Sequence, residues 1–184
     1  MRNSVPAALI AAFLAIAGVV SPSVGDTVLK NNIYDLVVPD KSPVRFDTWE
    51  GYDYAKFRGE FVLTGTLRYG YFTETGKKND SVGWDFAPDE AIAGTLPHWS
   101  GPLKLDSIAF DNWDDFIAAA IPGATVDRIK QEKTGVEARV TIRADRFATF
   151  VGCSTPTYRV RFIEIVKSSE VHVAQLATGE LSGC

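Results

Sequence analysis

The stretch that decides the fold is Phe57 to Tyr71, FRGEFVLTGTLRYGY, in which Phe57, Gly59, Phe61, Leu63, Gly65, Leu67, Tyr69 and Tyr71 fill every odd position. A period of two marks a strand with one face in the core. The even positions, Arg58, Glu60, Val62, Thr64, Thr66, Arg68 and Gly70, are polar enough to face water along most of the run. Such a strand far exceeds the usual length of about five or six residues. Gly59 and Gly65 on its inward face permit the coiling or bulging by which a sheet curls.

Downstream, Gly76 to Asp80 reads as a polar turn and Val82 to Phe86 as a second strand antiparallel to the first. Pro88-Asp89-Glu90 opens a short helix that Gly94 ends, Leu96 to Pro102 reads as a loop, and Leu103 to Phe110 as a third strand. Asp111 stands where an N-cap belongs, with Asp114 and Asp115 in the first turn and Trp113, Phe116, Ile117 and Ala120 at helical spacing. This predicts one packed helix over Asn112 to Ile121, followed by a helical or turn-like stretch from Ala124 to Lys133.

Val136, Ala138, Val140 and Ile142 then alternate with Glu137, Arg139, Thr141 and Arg143 in a second half-buried strand. Phe147 to Cys153 is expected to pair beside it. Thr157 to Val166 changes phase near Phe162, which a β-bulge explains, and Val171 to Leu176 suits a short edge strand. The order predicts a mainly β domain, α+β at the margin. Its expected form is a small curved β-barrel with OB-like strand order and one packed helix; the alternative is a two-sheet β-sandwich.

Upstream of all this lies a targeting signature. Met1-Arg2-Asn3 is a short positive region, Val5 to Val20 is apolar, Ser21-Pro22 breaks the run, and Ser23-Val24-Gly25 offers small residues for cleavage before Asp26. Ala15-Ile16-Ala17 is a second cleavage option, inside the apolar run. That run is about 16 residues where a membrane span needs about 20, so a cleaved signal peptide over residues 1–25 is expected and no transmembrane span in the mature chain. Residues 26–184 are then of single-domain size.

The chain has 184 residues, 46% of them hydrophobic, and a net charge of −4, which excludes wholesale disorder. Loss of Arg2 makes the mature chain one unit more negative, so nucleic acid is a poor partner for it. Cys153 and Cys184 both survive processing, and an even pair in an exported protein is expected to oxidise. Their bond would pin the last residue and stabilise by about 3 to 4 kcal/mol on the chain-entropy model.

Catalysis through a nucleophile needs a base, and only His98 and His172 are available; no nucleophile-elbow motif accompanies either. Asp111, Asp114 and Asp115 lack the spacing of a calcium loop, so no metal and no cofactor are expected. The weak catalytic candidates are His98 with Asp85, Asp89 or Asp111. A row of arginines, Arg58, Arg68, Arg139, Arg143, Arg159 and Arg161, falls on outward parities, with Glu60, Glu137 and Glu164 near enough to make it a mixed-charge face.

Aromatic density from Trp49 to Phe61, including Tyr52, suits a core, while Trp49 and Trp99 stand in loop-like polar contexts and are the rings to test for exposure. The reading that follows is an exported, periplasmic or secreted, non-catalytic binding module of unknown envelope or extracellular partner. Its contact surface would be Arg58, Glu60, Thr64 and Arg68 with the Trp99 ring. An envelope or extracellular polymer hydrolase using His98 is the alternative.

Overall fold

A computed structural model describes residues 25–30, 34–51, 53–74, 77–100, 105–152 and 155–174. Residues 1–24, Tyr52, Cys153 and Cys184 lie outside the described residues, so the expected apolar leader and disulfide fall there too. In chain order the elements are β1 (Thr27–Lys30), β2 (Asp35–Val38), β3 (Arg45–Glu50), β4 (Tyr54–Arg58), β5 (Phe61–Glu74), β6 (Lys77–Pro88), α1 (Glu90–Ala93), β7 (His98–Trp99), β8 (Ala109–Phe110), α2 (Trp113–Ala120), α3 (Gly123–Glu132), β9 (Gly135–Gly152), β10 (Thr155–Ser168) and β11 (His172–Ala174).

The protein is mainly β, in two sheets. β1, β2 and β7 form a small antiparallel sheet. In the eight-stranded sheet β9 is the hub: β4 and β5 line one edge of it, β10 and β11 the other, with β3 beyond β4, β6 beyond β5 and β8 parallel to β10. No closed barrel is found among the described residues. No helix among the described residues is long and apolar enough to cross a membrane.

The alternation read in the sequence organises the hub. Phe61, Leu63, Leu67 and Tyr69 of β5 and Val136, Ala138, Val140, Ile142 and Ala144 of β9 are buried side by side, and Leu63 faces Ile142 in register. Gly65 is required by packing: a Cβ there would lie 2.3 Å from the carbonyl oxygen of Ala87 and 2.7 Å from the Phe86 ring. Phe86 is itself fully buried against Phe110 and Phe116, so the hairpin of β5 and β6 closes directly over the core.

Phe116, Ile117 and Ala120 give α2 its buried stripe, at the helical spacing the sequence shows. Asn112 rather than Asp111 takes the cap position, and it makes no capping hydrogen bond. Its amide instead meets the backbone of β10, accepting from Phe162 N at 2.8 Å and donating to Phe162 O at 3.0 Å. The bulge expected near Phe162 is present, with register shifts on either side of it.

Several expectations need correction. The run from Phe57 to Tyr71 is two strands, interrupted at Gly59 and Glu60. Lys77 to Asp80 belong to β6 and not to a turn, because the hairpin continues past a register shift between Tyr71 and Thr73 as far as the pair Glu74 and Lys77. Of the Leu103 to Phe110 candidate only Ala109 and Phe110 form a strand among the described residues. Phe147 onward continues β9 instead of pairing beside it. Ala124 to Lys133 resolves as α3, and β1, β2 and β3 were not read from the sequence at all.

Candidate functional site

The outward arginines meet acids from neighbouring elements. Arg68 reaches Glu137 at 3.1 Å, Arg143 reaches Glu164 at 3.2 Å, and Arg139 pairs with Asp89. Arg159 holds Asp111 at 2.7 Å, and Arg161 grips Asp145 with two nitrogens at 2.8 and 2.6 Å. That hydrogen-bonded carboxylate holds the Arg161 guanidinium above its ordinary pKa. Most of these pairs are solvent-exposed and contribute about 0 to 1 kcal/mol each. The mixed-charge face is therefore present, with acids drawn from Asp89, Asp111 and Asp145 as well as from Glu137 and Glu164.

The catalytic candidates are separately engaged. His98 is half-buried on β7, with Nδ1 3.1 Å from the carbonyl oxygen of Leu96. Asp85 accepts from Ser107 Oγ at 2.6 Å, while Asp89 and Asp111 serve the arginines just named. No carboxylate partner is found for His98 among the described residues.

Trp99 corrects its expectation outright: it is 1% exposed, paired through β7 with Leu36 of β2, and its indole N–H donates to Thr149 Oγ1 at 2.8 Å. A ring so placed offers no surface to a ligand. Trp49 is half-buried on β3, tilted against Trp99 at 6.2 Å between ring centroids. Arg58 and Arg68 also part company. From Phe61 to Arg68 alone the strand advances on the order of 20 Å, so a single small ligand meets one of the two arginines and not both.

Arg58 stands where the β4–β5 edge of the ladder on β9 opens. β4 pairs with β9 up to Lys56 and Ala148, and β5 resumes the pairing at Phe61 and Ala144. Four residues on one side, Phe57 to Glu60, thus face only Asp145, Arg146 and Phe147 on the other. On the opposite edge the register of β10 also shifts, from Arg159 facing Ala148 to Arg161 facing Asp145. Two unusual backbone conformations sit in this gap, Gly59 at φ 126° and Arg146 at φ 54°. Gly59 is packed under Pro43, whose carbonyl oxygen would lie 3.1 Å from any Cβ added there. For an arginine the left-handed region costs about 1 kcal/mol or more.

The gap is an open cleft of about 540 Å³. Its apolar lining is Tyr54, Phe57, Phe147 and Ala148, of which all but Tyr54 are buried; Phe57 and Phe147 are in edge contact at 5.6 Å. Tyr54 stacks on Phe150 and carries Lys56 over its face at 5.6 Å. Lys56 is in turn bonded to Glu50 at 2.6 Å, which holds its ammonium above the ordinary value. Arg146 is exposed at the mouth and has no acidic partner among the described residues.

Sequence reasoning named Arg58 and Glu60 but missed Arg146. The signal for it was available. Core residues of β9 are even-numbered through Ala144 and then resume at Phe147, so the phase slips across Asp145 and Arg146. No protein-family model, no curated protein and no solved structure matches this chain.

Proposed function

We propose that the chain is an exported binding module, matured by removal of residues 1–25 and closed by a Cys153–Cys184 disulfide, whose ligand sits in the cleft between β4, β5 and β9. One observation carries the reading. The ladder on β9 is interrupted on its β4–β5 edge and shifts register on its β10 edge, and the gap holds one strained backbone position, Arg146, whose side chain has no acidic partner among the described residues. Strain of this kind persists only where surrounding structure fixes it, and it gathers at ligand sites. The cleft volume falls in the range of small-molecule sites, and its lining is mostly charged around the half-buried Tyr54 ring, which suits a polar ligand.

The non-catalytic character is supported by the separate engagement of His98, Asp85, Asp89 and Asp111. The finer barrel architecture with OB-like order belongs to the same proposal. It is supported by the backbone bond from Ile108 N to Phe86 O, 3.0 Å, which links β6 to the segment entering β8.

Isothermal titration of the exported chain against a panel of acetate, inorganic phosphate, alkylamines, free amino acids, dipeptides and neutral disaccharides tests the reading. At least one class is expected to bind at a single site, to lose affinity ten-fold or more in Arg58→Ser and to keep it in Arg68→Ser. Absence of binding across the panel, or equal loss in both variants, would overturn it.

A further inference from the structure

The charges that line the cleft divide into those already neutralised and those that are not. Asp145 has both carboxylate oxygens taken by Arg161, and Asp111 is held by Arg159. Lys56 is satisfied by Glu50, and Arg58 has a loose partner in Asp47 at 3.7 Å. Two groups remain, Arg146 on β9 and Glu60 at the break between β4 and β5. Both are exposed, and neither has a hydrogen bond or an ion pair within 4.0 Å among the described residues; Glu60 acts only at longer range, on Arg161. They carry opposite charge, line one cleft and do not pair with each other.

Resting on the reading of this cleft as the ligand site, we propose that it takes a zwitterion, an amino acid or short peptide bearing both an ammonium and a carboxylate. The Arg146 guanidinium, and with it Arg58, receives the carboxylate as a planar fork. Glu60 receives the ammonium. A simple anion would meet Glu60 and Asp47 as repelling neighbours, and a simple amine would meet Arg58 and Arg146 in the same way. The zwitterion alone satisfies both signs. A volume of about 540 Å³ beside the half-buried Tyr54 ring leaves room for a side chain beyond the charged ends, which favours a short peptide.

The test uses alanyl-phenylalanine, its N-acetyl form and its C-terminal amide, titrated calorimetrically into the exported chain. The free dipeptide is expected to bind at least ten-fold more tightly than either blocked form. Glu60→Gln should erase the penalty of acetylation, and Arg146→Asn the penalty of amidation; asparagine is chosen because it tolerates left-handed backbone. Should that variant fail to fold, Arg146→Gly serves, and the blocked peptides test the proposal with no variant at all.

Equal binding of free and blocked forms would overturn the proposal. Binding of phosphate or acetate through Arg58, with none of the dipeptide, would overturn it too while leaving the cleft as a binding site. No binding by any compound would remove both readings.

Discussion

The indole nitrogen of Trp99 and the hydroxyl of Thr149, 2.8 Å apart, tie the three-stranded sheet to the eight-stranded one. Thr149 is the one polar residue fully buried among the described residues, and Trp99 is the largest side chain buried beside it. Each satisfies the other, so the contact both fastens the sheets and fixes their relative position. Removing the hydroxyl leaves a buried indole N–H unpaired. Thr149→Val is expected to lower unfolding free energy by about 1 to 3 kcal/mol, measured by urea denaturation. Thr149→Ser, which retains the oxygen, should recover most of that loss, and equal stability of all three proteins would refute the latch.

Tyr158 faces Thr149 in register and is 2% exposed, with a hydroxyl that has no hydrogen bond of normal geometry and only a weak approach from the Trp99 backbone. Burial pushes its pKa well above the ordinary value of 10.0, and the nearby Trp99 backbone only partly offsets this. The folded state therefore binds the phenolic proton more tightly than the unfolded state does. This contribution to stability is fully present below the unfolded pKa and is lost as pH rises from about 10 toward the higher folded value. Thermal unfolding between pH 9 and pH 11 should show a steeper alkaline loss in the native protein than in Tyr158→Phe, and parallel curves would count against it.

Gly65 permits the closure of β5 and β6 over Phe86. Gly65→Ala puts a methyl group against the Ala87 carbonyl oxygen and the Phe86 ring, both of them fixed by the core. A loss of about 1 to 3 kcal/mol is expected from such overpacking, read from the denaturation midpoint. No change in the midpoint would mean that the two strands separate more easily than their ladder implies.

Much of this architecture is legible in the alternation of β5 and β9, because each strand has one buried and one wet face and a period of two survives any change in its surroundings. The cleft is less legible: on β9 the interruption appears as a change of phase between Ala144 and Phe147, but across Gly59 the odd-numbered alternation runs on unchanged and nothing in it marks the break. Trp99 was unreadable for a different reason. Its burial depends on β2, some sixty residues earlier, and on Thr149 of β9, and no local pattern around Pro97, His98 and Ser100 reports such distant partners. Asp111 and Asn112 show the same limit on a smaller scale. Either suits a cap, and the contacts to Arg159 and Phe162 decide which residue does what.

Arg146 separates the demands of stability from those of binding. In Arg146→Gly the left-handed backbone no longer opposes a side chain, and the protein is expected to gain up to about 1 kcal/mol in unfolding free energy while its affinity for alanyl-phenylalanine falls. Calorimetric melting and titration on the same preparation check both halves. A variant that loses stability would show that the arginine side chain supports the gap structurally.

The central claim, that the interruption of β9 is a binding site, is tested most directly by following backbone amide shifts of the protein in a nuclear magnetic resonance titration with the compound that binds most tightly in the calorimetric panel. Shifts concentrated at Arg58, Gly59, Glu60 and Arg146, with Arg68 and Glu137 undisturbed, are the expected result. Shifts centred on Arg68, or spread over the outer face with the gap unaffected, would contradict it.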